Sequence, residues 1–150
     1  MPDLWRSFIA FLNVFSVSSV LCSLAARFIY PQAEFLYVPA DDVTRIAAET
    51  GAIPYDVPGA EFGHHGDRCS FDAFLARYRL DDPALAKLAG IVRAADCDRP
   101  SEAPEAAGLL AISRGLSLNF TDDHAMLRQG MVVYDALYAW CGGKNVDAPA

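Results

Sequence analysis

The sequence is short of basic residues, of paired cysteines and of the common nucleotide-binding and hydrolase signatures. Twelve lysines and arginines stand against nineteen aspartates and glutamates, a formal charge of −7 over 150 residues. A nucleic-acid surface needs a basic stripe to displace counterions from phosphates, so direct nucleic-acid binding is not expected. The same deficit disfavours docking on anionic lipid, though a local basic pocket for a small anion stays open. Cys22, Cys69, Cys97 and Cys141 are far apart, with no CxxC pair among them. That removes zinc ribbons and thioredoxin-like sites, and reads as free thiols in a reducing, cytoplasmic compartment. No GxGxxG, Walker loop, GxSxG elbow or HExxH occurs, which leaves nucleotide binding and hydrolysis without a motif. There is no internal repeat and no low-complexity tract.

What is present is apolar. Hydrophobic residues make up 53% and charged residues 21%, the balance of one globular domain with a sizeable core. The longest uncharged run is Ser7 to Ala26, diluted only by Asn13 and several serines. Arg6 before it and Ser23-Leu24-Ala25 near its end give it the form of a signal peptide, which would export the chain. Its length is near the ~20 residues of a membrane span. Asp3 spoils the positive flank, and a buried core helix is the other reading. The expected organisation is therefore an apolar leader over 1–26, a domain over 27–143 and a frayed tail over 144–150. A membrane role is expected only if 7–26 is a true leader.

From Ala33 local signals become regular. Glu34 to Val38 predicts a strand closed by Pro39, and Ala52 to Tyr55 a second one that Pro54 sends to an edge. Between them Asp41 or Asp42 opens a helix that Gly51 stops. Four more helices follow. Ser70 caps one with Phe71, Phe74, Leu75 and Tyr78 on one face, and Asp82-Pro83 opens one burying Leu85, Leu88, Ala89 and Val92. Pro104-Glu105 begins a third, ending near Gly115. Thr121, Asp122 and Asp123 begin the longest, with Leu127, Met131, Tyr134, Tyr138 and Cys141 inward. The fold class is α+β, predominantly helical, with short strands in the N-terminal third followed by about four packed helices.

Chemistry concentrates in Gly63-His64-His65-Gly66-Asp67-Arg68-Cys69. Two imidazoles lie beside glycines that let the backbone approach a ligand. Cys69 stands at a helix N-terminus, where the dipole and Arg68 would favour a thiolate. Imidazole and thiolate suit a transition metal ion, with His64, His65 and Cys69 as ligands. An anion would be met by Arg68, helix N–H groups and protonated histidine. Asp96 lies at a predicted helix C-terminus, where a carboxylate is unfavourable, so it is the expected carboxylate neighbour of that loop. The bland alternative is a solvated turn before a core helix.

Several blocks in one order resemble the C-terminal domain of the ChrB-type chromate resistance family. They are Arg27 to Pro39, Gly63 to Asp72, Ile91 to Asp96, Pro104 to Leu109, Asp122-Asp123-His124 and Tyr134 to Ala139, so the resemblance covers roughly 27–141. It implies a bacterial protein of chromate resistance or sensing, and relatives of full length carry a further N-terminal regulatory domain. It also points to His64 and Cys69, since the family shows a similar His-x-Gly-x-x-Cys pattern. Two departures stand out. Many members have histidine where this chain has Arg93. They also begin with a Cys-Pro-Trp-Leu-Ile segment where this chain has its apolar run, with Cys22 in place of the family cysteine. A shift of reading frame upstream of Arg27 would account for that run. Three functions compete: a sensor or accessory domain binding a small oxyanion or metal, a metal- or thiol-dependent redox enzyme acting on chromate, and a structural interaction module.

Overall fold

A computed structural model of the chain describes residues 7–10 and 17–143. The expected frayed tail lies outside these residues. Strand β1 (Ser7–Ala10) is the middle of a three-stranded parallel sheet. On one side β2 (Glu34–Tyr37) pairs with it, Phe8 facing Phe35 and Ala10 facing Tyr37. On the other, β3 (Ile53–Pro54) pairs through Phe8 with Ile53, an edge position where Pro54 loses no central ladder bond. Parallel neighbours need a crossover, and helix α1 (Val17–Ile29) supplies it between β1 and β2.

The uncharged run thus contributes the sheet's central strand and its crossover helix, and this differs from a fold that starts at Arg27. Phe8 is buried, with ring centroids about 6 Å from Tyr30, Phe35, Tyr55 and Phe74. Val17, Val20, Cys22 and Ala26 of α1 are buried in the same core. The reason the run admits both readings is physical. A short central strand and a helix sunk in a core can both read as continuous apolar sequence, as a leader does. One serine in the run is explained too: Ser23 is buried with its Oγ 2.9 Å from Tyr55 Oη.

The later elements follow their local signals. Helix α2 (Val43–Thr50) ends on Gly51, whose φ of 73° closes it in the left-handed region. Val43 and Ala47 pack with Ala52, Val57 and Ala60 in a small second cluster. Helix α3 (Ser70–Tyr78) buries Phe71 and Phe74, with Cys69 rather than Ser70 as its N-cap. In α4 (Pro83–Asp96), Asp82 Oδ1 accepts from the Ala84 N–H at 2.8 Å and Pro83 takes the first position. Helices α5 (Ala106–Asn119) and α6 (Asp123–Cys141) complete the layer packed with α1 and α4. Asp122 Oδ2 caps α6 by accepting from the Ala125 N–H. Gly130 of α6 meets α1 closely: a Cβ there would lie 3.2 Å from Val20. The whole is predominantly helical α+β, as the sequence predicts. Among the described residues no helix is long and apolar enough to cross a membrane.

Candidate functional site

Three helix ends converge beneath the loop 55–69. The N-terminus of α1, the N-terminus of α3 and the C-terminus of α4 meet there through side chains. Asp96, last residue of α4, turns its Oδ1 to the backbone N–H of Val17 at 3.2 Å. A carboxylate at its own helix's C-terminus is unfavourable, but here it satisfies a first-turn donor of α1 and faces that helix's positive end. Asp56 follows Tyr55 with a φ of 53° and anchors itself through its N–H to Phe62 O at 2.7 Å. Its Oδ1 accepts from the Ser70 hydroxyl at 2.7 Å.

His64 closes this arrangement. Its Nε2 lies 3.5 Å from Asp56 Oδ1 and 4.0 Å from Asp96 Oδ2. The carboxylate side chains are only 5% and 6% exposed, while the imidazole is 48% exposed, so the ring is the lid on a buried acidic pair. The hydrogen bond to Asp56 raises the His64 pKa; partial burial opposes this, and the charges of Asp56 and Asp96 add to it. Cys22 of α1 lies within electrostatic reach. Burial first, then Asp56, Cys69, Asp96 and Asp72, push its thiol well above the ordinary value.

Not every residue expected at the site is gathered there. His64 and Asp96 are brought together, at 4.0 Å. His65 is exposed and turns away, Nε2 lying 2.9 Å from the Glu61 carbonyl. Its backbone exchanges two 3.1 Å hydrogen bonds with Arg68 across the turn at Gly66. Cys69 is fully buried. Asp72 Oδ2 accepts from both its N–H at 3.1 Å and its Sγ at 3.3 Å, so its sulfur is a cap turned inside the protein rather than toward solvent. Asp72 in turn holds Arg93 at 3.3 Å. Arg68 and Arg93 line a separate surface cleft of about 350 Å³ with Asp72 and Asp81. Among the described residues, no group of three or more histidine, cysteine, aspartate or glutamate side chains is placed to hold a metal ion.

Asp56 is the residue that sequence reasoning missed. Nothing local marks it, since it sits in an irregular segment and finds His64 only because the backbone reverses between them. The loop is held from outside by Arg99, which donates to the Asp67 carbonyl at 3.2 Å, and by the Arg77–Glu61 ion pair at 3.0 Å.

Comparison with known proteins bears on this architecture. The sequence model of the ChrB C-terminal domain matches residues 14–141, a span that takes in α1 whole and every residue of the loop. Protein ChrB of Cupriavidus metallidurans is 37% identical over 124 residues, which is 81% of this chain. The chain spans little more than a third of that relative, 37% of its length. No solved structure matches. On the strength of the matched span and the identity, the chain belongs to the ChrB C-terminal domain family.

Proposed function

We propose that this chain acts in chromate resistance as a sensor or accessory domain, with the His64 loop and its two carboxylates as the responsive site. Family membership supports the setting. The observation that carries the reading is the position of Asp96, which faces His64 with one oxygen and holds the first N–H of α1 with the other. Whatever alters the contact between His64 and the acids therefore acts on the helix that crosses the core. That is a route from ligand to fold, which a sensor needs. The buried thiol of Cys69 offers little to a thiol-dependent reductase, because its Sγ is closed off from substrate.

A second reading is favoured by the Arg68–Arg93 cleft, where two guanidinium groups line a space large enough for a tetrahedral oxyanion. Thermal unfolding in chromate, in sulfate as its redox-inert analogue, and after chelation separates these readings. The His64 reading expects a ligand-dependent shift that His64→Ala removes. The cleft reading expects an anion-dependent shift that Arg68→Ala removes while His64→Ala does not. Melting unaffected by anion, metal or chelator would overturn both.

A further inference from the structure

We propose that the cleft between α3 and α4 binds a small aliphatic monocarboxylate, its head held by Arg68 and Arg93 and its tail laid along an apolar wall. The inference rests on the cleft reading of the two guanidinium groups and names the class of anion they meet. The space measures about 350 Å³. Both cations stand at the N-terminal end of α3. Arg68 directly precedes the N-cap Cys69, and Arg93 reaches Asp72 of the first turn at 3.3 Å. Asp72 Oδ2 accepts from the Cys69 N–H and Sγ, so this carboxylate is engaged by the cap and by Arg93. Among the described residues Arg68 has no ion-pair partner, which leaves its planar fork for a carboxylate head.

The rest of the lining fits a hydrocarbon chain. Leu75 and Ala76 of α3, Leu80 of the linker, and Ala86 and Ala89 of α4 form a wall that runs away from the cations. Leu80 is held beside Leu75 by its N–H, which donates to the Leu75 carbonyl at 3.1 Å. From Ala86 to Arg93 the helix rises about 10 Å, room for a short tail behind a carboxylate head. A bare tetrahedral oxyanion would use the guanidinium end and leave this wall in water. An aliphatic tail covers it, and both surfaces gain by leaving water. Asp81, just ahead of the α4 cap, lines the far end with a carboxylate, where an apolar chain must stop.

Sodium acetate, butyrate, hexanoate and octanoate titrated calorimetrically into the full chain test this. We expect affinity to rise about twofold to fourfold per methylene, the lower figure for a chain covered on one side, and to level off once the tail reaches Asp81. Arg68→Ala should weaken hexanoate tenfold or more, and this exposed side chain can be removed without touching the core. His64→Ala should leave hexanoate binding unchanged, and hexan-1-ol, a tail without the charge, should bind at least tenfold more weakly. Acetate or hexan-1-ol binding as tightly as hexanoate would overturn the proposal. So would hexanoate binding that survives Arg68→Ala or vanishes with His64→Ala. If sulfate gives an Arg68-dependent melting shift and the tail adds nothing, the carboxylate proposal falls while the cleft reading stands. If neither sulfate nor any carboxylate binds, both fall.

Discussion

Two aromatic residues show how tightly the interior is specified. Phe8 touches four other rings from the centre of the sheet, so truncation leaves a cavity that no single neighbour can fill. Phe8→Ala should cost about 3–5 kcal/mol, read as a lower urea midpoint at unchanged slope. Tyr134 is fully buried, its hydroxyl 2.6 Å from Ser113 Oγ, and burial pushes its pKa up to about 12. A phenol with a raised folded pKa keeps its proton more firmly folded than unfolded. Its contribution is therefore complete below pH 10 and is lost as pH rises from about 10 toward 12. The full shift corresponds to about 2–3 kcal/mol. Tyr134→Phe should flatten the alkaline fall in melting temperature, and an unchanged alkaline limb in that variant would contradict the assignment.

At the scale of elements, caps and close approaches do most of the positioning. Asp82 both starts α4 and accepts from the Tyr138 hydroxyl of α6, so one side chain ties two helices. Asp82→Ala should lose about 1 kcal/mol for the cap, with more for the freed tyrosine. Gly63 marks the hinge of the functional loop. A Cβ there would lie 2.9 Å from Val57 O and 3.1 Å from Ala60 O, and both are backbone atoms that cannot swing aside. Gly63→Ala should therefore displace the loop and destabilise the protein by about 1–3 kcal/mol. Amide exchange should show the extra opening between residues 55 and 69, whereas exchange confined to α5 would argue against this picture.

For the molecule as a whole, β1 and α1 join the sheet to the helical layer. A chain begun at Arg27 loses the strand between β2 and β3 along with the buried face of α1. It should lose its cooperative melt, and a soluble, cooperatively folding fragment from Arg27 would show that this unit is dispensable. Charge acts at the same scale. With −7 spread over 150 residues, the chain by itself should show no salt-dependent retention of duplex DNA at physiological ionic strength. Retention in a gel-shift assay would require a basic surface that the composition gives little material to build.

Much of the helical part is legible residue by residue. Asp82-Pro83 and the Gly51 stop each sit within one turn of the boundary they create, because capping and glycine reversal act over a few residues, while the last helix is capped by Asp122, one residue after the expected Thr121. That Asp96 needs a partner is also legible in outline, since a carboxylate at a helix C-terminus is unfavourable, and the Val17 N–H is one partner it finds. What the chain's order could not reveal is the use of the apolar run and the identity of Asp56. Parallel pairing of β1 with β2 and β3 is a long-range choice, and a four-residue strand inside an uncharged run carries too little pattern to announce it. Asp96 and Val17 are 79 positions apart, and Asp56 reaches His64 only through a backbone reversal and a left-handed residue. Local chemistry determined the helices and their ends; the site belongs to the tertiary structure, because its side chains come from separate segments that meet only when the core closes.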